Sequence, residues 1–370
     1  MFRTHQTTRR RGNVALATIL AVGLAFLSAC SGERADSTTP GASGDTVRLQ
    51  GAGATFPNPL YQKWLSEYGK INPQARIDYQ SIGSGGGIQQ IQSQTVDFGA
   101  SDTPLTNEDL EKAPGELVHI PTVLGAVVIT YNLQSVAQPL RFSPDVVADI
   151  FLGKIKRWDD ARIQADNPGV GLPATDISVV HRSDGSGTTA VFTDYLAKVS
   201  PEWKTKPGAG KSIDWPVGIG GKGNEGVSGQ VKNTPNTIGY VELAYAVQTK
   251  LPVALIKNKS GNFVEPSLDA VTAAAAESLP TTPEDLRVSI TDAAGANAYP
   301  ISSYTYILVY KEQKDAAKGK ALVDFLWWSI HEGERFARDL QYAPLPAEIV
   351  ERASAKLNSI TAGGKTLRGA

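Results

Sequence analysis

The clearest structural signal in the sequence is residues 177–196, which read ISVVHRSDGSGTTAVFTDYL. The β-branched residues at 177–181 are typical of a strand, and the apolar residues between Val191 and Leu196 have helical spacing. Between them, residues 184–188 provide glycines for a tight turn and hydroxyl groups for the start of a helix. The stretch therefore predicts a strand, a glycine-rich turn and a helix, which is the repeating unit of α/β folds.

The same arrangement occurs twice earlier in the chain. Gly51-Ala52-Gly53-Ala54-Thr55-Phe56-Pro57 precedes an amphipathic helix, and Gly83-Ser84-Gly85-Gly86-Gly87 follows an alternating strand. The alternation of strands and helices indicates an α/β architecture with largely parallel sheets. We predict strands at 46–50, 76–82, 96–100, 126–131, 177–181 and 306–310, helices at 59–70, 143–152, 188–199 and 318–330, and loops at 163–174 and 203–222.

Helix starts of this kind are suited to binding an oxyanion. The first N–H groups of a helix lack partners within it and carry about half a positive charge. Glycines let the backbone approach a ligand, and hydroxyl groups add donors. Any one of the three could be an ordinary cap and turn, but three in one chain favour an anion site. Arg182 lies beside the third and could form a bidentate contact with a phosphate or sulfate edge, or be a solvated surface residue.

Asp102 follows the predicted strand at 96–100 and bears on which anion would bind. A carboxylate repels an anion unless the ligand itself carries a proton. Phosphate keeps a proton at neutral pH and sulfate does not, so an acceptor-only Asp102 would favour phosphate over sulfate. The alternative is that Asp102 only caps the following helix near Leu105, or forms a turn with Pro104.

The first 29 residues do not belong to the predicted fold. Arginines at 3 and 9–11 precede the apolar run at 14–27 and two small residues, which is the pattern of a secretory signal peptide over residues 1–29. The run is shorter than the roughly 20 residues that span a bilayer. Leu27-Ser28-Ala29-Cys30 resembles the lipobox of bacterial lipoproteins, so we expect Cys30 to carry a lipid and residues 30–46 to form a flexible tether.

Composition narrows the function further. The chain has 36 Lys and Arg against 37 Asp and Glu, and loss of the four arginines in residues 1–29 leaves 32 against 37, a net charge near −5. This charge does not indicate nucleic-acid binding. One Cys and four His make a disulfide framework, a cysteine-ligated metal site or a histidine-rich metal site a poor expectation. We therefore expect no metal and no cofactor.

Taken together, the segments strongly resemble a known family, the PstS-type phosphate-binding proteins of the bacterial high-affinity phosphate ABC transporter. The resemblance covers nearly all of residues 47–350, in the family's order. It implies a two-lobed α/β periplasmic-binding-protein fold of type II-like form, with a ligand cleft between lobes joined by a two-segment hinge. Lobe one would comprise residues 47–124 and 300–370, and lobe two residues 125–299. The matching segments are 51–57, 82–87, 96–102 and 182–188, with further matches at 151–160, 220–224 and 238–242.

The resemblance also implies a role for particular residues. Asp184 would hold Arg182 in orientation without contacting the ligand itself. The protein would be a monomer that captures inorganic phosphate outside the cytoplasm and delivers it to the permease subunits of an ABC transporter. It would be held at the membrane by the lipid on Cys30 and would not be an enzyme. The implied phosphate-binding groups are Thr55, the amide of Phe56, Ser84 and Asp102 from lobe one, and Arg182, Ser186, the amide of Gly187 and Thr188 from lobe two.

Two other functions stay open on the sequence alone: binding of another oxyanion, such as sulfate or molybdate, and a phosphate-releasing hydrolase built on the same lobes. A triad of His181, Asp184 and Ser186 is disfavoured because all three lie on one strand and its turn. The segment Gly208-Ala209-Gly210-Lys211-Ser212 is similar to a P-loop, but Thr205 stands where the first glycine belongs and no apolar strand precedes it.

Overall fold

The computed structural model describes residues 46–368. The predicted signal peptide, Cys30 and the tether up to residue 45 lie outside this range, so they stay predictions. The strands are β1 Val47–Gly53, β2 Ala75–Ser81, β3 Phe98–Ser101, β4 Leu117–Tyr131, β5 Arg141–Phe142, β6 Ser178–Arg182, β7 Ile219–Gly221, β8 Thr237–Glu242, β9 Leu255–Lys257, β10 Phe263–Val264, β11 Ser302–Tyr310, β12 Thr361–Ala362 and β13 Lys365–Thr366. The helices are α1 Asn58–Ile71, α2 Ser84–Gln92, α3 Asn107–Glu111, α4 Pro144–Phe151, α5 Ala161–Asp166, α6 Gly187–Val199, α7 Pro201–Thr205, α8 Gly223–Asn233, α9 Leu243–Thr249, α10 Leu268–Ser278, α11 Ala316–Ile330 and α12 Ala347–Asn358.

The largest sheet has eight strands in the order β2-β1-β3-β11-β4-β8-β6-β7. β1 pairs in parallel with β2 and β3, and β6 pairs in parallel with β7 and β8. In the middle of the sheet, β11 is antiparallel to β3 and β4, and β4 is antiparallel to β8. The sheet is therefore mixed, and the prediction of largely parallel sheets is wrong for its centre, where the chain runs out along β4 and returns along β11.

The long strand β4 joins the two halves of this sheet. Its first part pairs with β11, and residues 127–131 pair with β8. All fifteen of its residues are buried. Where the pairing changes, Leu124 to Ala126 lie opposite Tyr304 to Ser302. Two chain segments thus run side by side at the place where the family resemblance implies a hinge, and the boundaries at 124/125 and 299/300 stay predictions.

Most predicted elements are present with ends that differ by a few residues, but β4 is much longer than the strand predicted at 126–131. His119, Pro121 and Gly125 interrupt the apolar pattern of its first part. Proline cannot donate to a neighbouring strand, and it is tolerated here because the register of β11 shifts between Thr305 and Tyr306, opposite Pro121.

The two predicted loops are also partly regular structure. The segment 163–174 begins inside α5, which starts where the Asp160 side chain accepts the N–H of Arg162 at 2.9 Å. The segment 203–222 contains the last residues of α7 and the short strand β7. Ser200 caps the N-terminus of α7. The prediction fails because these elements depend on single capping side chains and on pairing with β6, which leave little periodic pattern.

The core lies on both faces of the main sheet. On α1, the side chains of Leu60, Tyr61, Trp64 and Tyr68 form the buried face, and the Trp64 indole donates to the carbonyl of Gly333 at 2.8 Å. This packing holds α1 against the segment around Gly333 and thereby fixes the position of the N-terminus of α1. Within residues 46–368, no helix combines the length and the apolar character that a membrane crossing requires.

Candidate functional site at four helix N-termini

All three predicted strand–turn–helix arrangements are present, and their turns meet. β1 leads into α1, β2 into α2, and β6 into α6. The amide of Gly85, in α2, donates to the carbonyl of Gly185 before α6 at 2.8 Å. A β-carbon on Gly187 would lie 2.3 Å from Ser84 Oγ and 2.4 Å from Asp102 Oδ2, so only glycine allows this approach. The structure therefore brings groups from both predicted lobes into one buried cluster.

Asp102 lies at the centre of this cluster and is almost fully buried. Its Oδ1 accepts a hydrogen bond of 2.9 Å from the Thr305 hydroxyl, and its Oδ2 is 3.5 Å from Ser84 Oγ. Burial raises the pKa of Asp102 to about 7, although Thr305, Arg182 and Ser84 act in the opposite direction. When ionised, a carboxyl group with a pKa near neutrality can accept a hydrogen bond from a protonated ligand oxygen. When protonated, it can donate one itself.

Arg182, at the end of β6, is the buried cation of the site, with 1% of its side chain exposed. Its Nε and Nη2 donate to the two carboxylate oxygens of Asp184 at 2.8 and 2.5 Å. Burial raises the pKa of Asp184, but the hydrogen bonds and charge of Arg182 outweigh it, so this pKa lies below its usual value. Nη1 of Arg182 is buried and makes no hydrogen bond with the part of the chain that the structure describes. Asp184 thus fixes one edge of the guanidinium and leaves Nη1 for a ligand.

The hydroxyl groups of Ser84, Ser186 and Thr188 are fully buried in the same cluster. Ser84 begins α2, and Gly187 and Thr188 begin α6. The Ser186 side chain caps α6 by accepting the N–H of Thr189 at 3.0 Å. Ser186 is therefore the N-cap of α6. This role does not compete with ligand binding, because a hydroxyl that accepts one hydrogen bond can still donate another.

Thr55 and Phe56 lie between β1 and α1, and both are buried. The Thr55 carbonyl accepts a hydrogen bond from the Tyr245 hydroxyl at 2.6 Å, and the Phe56 carbonyl accepts one from the Tyr342 hydroxyl at 2.6 Å. Tyr342 also lies 3.2 Å from the carboxylate of Glu242, whose pKa burial raises well above its usual value. These tyrosines fix the peptide that joins β1 to α1.

Two residues of the cluster were not predicted from the sequence. Thr305 comes from β11, and Asn224 from a fourth glycine-rich helix start, where β7 leads into α8. The Asn224 side-chain amide donates to Thr55 Oγ1 at 2.7 Å and to Thr188 Oγ1 at 3.1 Å. The segment Gly220-Gly221-Lys222-Gly223 was a usable signal for Asn224, but β7 has only three residues and its segment was predicted as a loop.

The three side chains of the possible hydrolase triad, His181, Asp184 and Ser186, contact different partners. His181 Nδ1 is 2.9 Å from the carbonyl of Arg182, and its ring stacks on Trp215. Asp184 pairs with Arg182, and Ser186 caps α6. These contacts direct the three side chains to different partners, which is not the arrangement of a nucleophile, a base and its orienting acid. Among residues 46–368, no group of three or more His, Cys, Asp or Glu side chains is placed to hold a metal ion.

Comparison with known proteins agrees with this fold. The family model of the PBP superfamily domain matches residues 39–329. A solved phosphate-binding protein from Stenotrophomonas maltophilia superposes with a TM-score of 0.65 at 22% identity, over 84% of this chain and 93% of the other. The fold and the cluster between its halves thus define the class: a two-lobed α/β binding protein of the periplasmic-binding-protein type.

The sequence relatives identify the family within this class. The chain is 47% identical over 324 residues to the phosphate-binding protein PstS of Xylella fastidiosa strain Temecula1, which covers 87% of this chain and 88% of the relative. It is 46% identical over 322 residues to the phosphate-binding protein PstS of Pasteurella multocida strain Pm70, covering 86% and 93%. This chain belongs to the family of PstS phosphate-binding proteins.

Proposed function

We propose that this protein captures inorganic phosphate outside the cytoplasm and delivers it to an ABC-transporter permease, and that it does so by binding without catalysis. The observation on which this rests is one buried cluster in which Asp102 lies among four helix N-termini beside Arg182. Helix N-termini and a guanidinium bind oxyanion oxygens, and Asp102 accepts a hydrogen bond from a protonated oxygen. Family membership supports the same ligand.

In this proposal, Thr55, Ser84, Ser186, Thr188 and Arg182 donate to the phosphate oxygens, together with the amides of Phe56 and Gly187. Donors come from both predicted lobes, so a ligand is bound more tightly when the lobes are closed, and this difference in affinity favours closure. The closed lobes would then dock on the permease. Sulfate lacks a proton for Asp102 at neutral pH, so it would meet an unpaired buried carboxylate.

We further propose that the protein acts as a monomer tethered through a lipid on Cys30. Residues 31–46 contain Gly, Ser, Thr and Pro without an apolar pattern, which is typical of a flexible linker. A tether of this kind raises the concentration of the binding protein near a permease in the same membrane.

Titration calorimetry of the full chain in detergent, after bound phosphate has been removed, tests the ligand. We expect tight one-to-one binding of phosphate and no measurable heat from sulfate at neutral pH. Equal affinity for sulfate would leave an oxyanion receptor but overturn the phosphate assignment. Binding of neither anion would overturn both.

Arg182→Ala provides the matched test of the site. We expect it to weaken phosphate binding by roughly 100-fold or more, because a buried charge-assisted contact is lost. Arg157→Ala is the control, since Arg157 forms an ion pair with Asp159 outside the cluster and is largely exposed. An Arg182 variant with the affinity of the control would exclude this residue from the site.

A further inference from the structure

Asn224 occupies a particular position at the start of α8, because its side chain contacts both Thr55 and Thr188. The residue is fully buried. Its Oδ1 accepts a hydrogen bond of 3.0 Å from the backbone N–H of Glu242. A backbone N–H can only donate, so the oxygen of the amide must face Glu242 and the nitrogen must face the opposite side. The orientation of the Asn224 amide is therefore determined by its surroundings.

The hydrogens of this amide are directed at two hydroxyl oxygens. Nδ2 donates to Thr55 Oγ1 at 2.7 Å and to Thr188 Oγ1 at 3.1 Å, and the backbone N–H of Asn224 also points to Thr55 Oγ1 at 3.4 Å. A hydroxyl group has two acceptor positions and one hydrogen to donate. Thr55 Oγ1 uses both acceptor positions on Asn224, so its hydroxyl can interact with a ligand only as a donor. Thr188 uses one acceptor position in the same way.

We propose that Asn224 is a positioning residue that fixes the hydroxyl group of Thr55 as a hydrogen-bond donor toward the bound anion and occupies one of the two acceptor positions of the Thr188 hydroxyl. This inference rests on the proposed phosphate site and deepens it. In the closed form, donors with a fixed direction favour ligand oxygens without a proton. The proton of the ligand is then accommodated at Asp102, so Asn224 and Asp102 together select an anion that carries both kinds of oxygen.

The position of Asn224 also couples this effect to closure. Thr188 and Asn224 lie in predicted lobe two, whereas Thr55 lies in predicted lobe one. The bonds from Asn224 to Thr55 therefore cross between the lobes and form only when these approach each other. The Thr55 hydroxyl becomes an obligate donor in the closed form, in which the ligand is held.

A double-mutant cycle in phosphate titration separates this role from a structural one. Asn224→Ala and Thr55→Val should each weaken phosphate binding by roughly 10-fold, the scale of one hydrogen bond to a charged ligand. If Asn224 acts through the Thr55 hydroxyl, adding Asn224→Ala to Thr55→Val should weaken phosphate binding by no more than about a further 3-fold. That remaining loss is the effect that Asn224 exerts through Thr188. If Asn224 only links α8 to β8, the two losses multiply, and the proposal is overturned.

Asn224→Asp provides a second cycle that preserves the shape of the side chain. The carboxylate can still accept the N–H of Glu242, but it accepts the threonine hydroxyls instead of donating to them. Thr55→Val should then change phosphate affinity by less than about 2-fold in the Asn224→Asp background, because the hydroxyl no longer faces the ligand. A loss as large as in the wild-type background would contradict the proposal. Wild-type protein that fails to bind phosphate would instead refute the proposed function, so the two failures are distinguishable.

Discussion

At the scale of single residues, Asp102 shows how burial changes the ionisation of a proposed ligand contact. The carboxyl group is held by the Thr305 hydroxyl at 2.9 Å and is shielded from water by residues of both predicted lobes. Ionisation of a buried carboxyl is unfavourable, which raises the pKa of Asp102 to about 7. The native protein therefore retains the Asp102 proton until the pH approaches this value. Once ionised, the buried carboxylate needs a hydrogen-bond donor, which a protonated phosphate oxygen would supply and sulfate would not.

The raised pKa predicts how Asp102 affects stability without phosphate. Below the ordinary pKa of about 3.8, the group is protonated in native and unfolded chains and contributes no difference. Between that pH and about 7 the unfolded chain releases the proton and the native chain keeps it, so stability falls as pH rises and the loss is complete above about 7. Asp102→Asn removes this loss. The free energy of unfolding of Asp102→Asn should therefore rise relative to wild type by up to roughly 4 kcal/mol between pH 4 and 8.

Urea unfolding at several pH values in phosphate-free buffer measures this difference. Asp78→Asn, at an exposed position, is the control for loss of a carboxylate on the surface. Other buried acids, such as Glu242, are present in both proteins, so they contribute to the difference only through their interaction with the Asp102 charge. A constant difference between wild type and Asp102→Asn across this pH range would show that Asp102 ionises normally in the native state.

At the scale of secondary-structure elements, glycines let the helices approach the strands closely enough to form the site. Gly87, in α2, lies against the end of β1. A β-carbon there would be 2.4 Å from the Cα of Gly53 and 2.6 Å from the carbonyl oxygen of Ala52. These are backbone atoms that cannot rotate away. α2 and the Ser84 hydroxyl at its start therefore keep their position only while residue 87 has no side chain.

Gly87→Ala should lower the free energy of unfolding by about 1–3 kcal/mol through overpacking, and it should also weaken phosphate binding because α2 moves. Gly229→Ala is the matched control in α8, where a β-carbon would meet nothing within 4 Å. That substitution should raise stability by up to about 1 kcal/mol, since alanine is the better helix former. Denaturant unfolding without phosphate measures both, and equal stability of the two variants would contradict the close-packing argument.

Local sequence patterns predicted the helix starts because the relevant signals lie within a few residues of one another. Thr55, Ser84 and Arg182 each adjoin a glycine-rich turn after a strand, so their functional setting is visible in a short window. Thr305 has no such signal. Its contact with Asp102 spans 203 residues and depends on the antiparallel register of β11 with β3, which no local pattern specifies.

The same reasoning explains the errors in the fold. The first half of β4 contains Pro121, whose tolerance depends on a register shift in β11, a different part of the chain. β7 is regular only because it pairs with β6. Periodicity reports burial along one segment, whereas strand pairing in the centre of this sheet is decided by segments that are distant in sequence. The mixed direction of the central strands could not be predicted for that reason.

At the scale of the whole molecule, further contacts link the two predicted lobes away from the anion site. Arg287, in predicted lobe two, donates from Nη1 to the Leu105 carbonyl at 3.0 Å and to Asn107 Oδ1 at 2.9 Å, both in predicted lobe one. Lys211 and Asp109 also approach across this boundary, at 3.6 Å. In the proposed mechanism, such contacts would stabilise the closed form without touching the ligand. In the proposed mechanism only the closed form makes every ligand contact, so apparent affinity would depend on how readily the lobes close.

Arg287→Ala should therefore weaken phosphate binding by roughly 3- to 10-fold, although Arg287 lies outside the proposed ligand contacts. The loss should appear mainly as faster release, since the closed complex loses bonds that the encounter of ligand and open protein does not use. Small-angle X-ray scattering should show a larger radius of gyration for the phosphate-free variant than for wild type, and saturating phosphate should restore the wild-type value. Arg162→Ala, which breaks the surface ion pairs to Asp149 and Asp160 within predicted lobe two, should change neither quantity. If Arg287→Ala behaved like this control, closure would not depend on this contact, and the assignment of residues 125–299 to a separate moving lobe would lose its support.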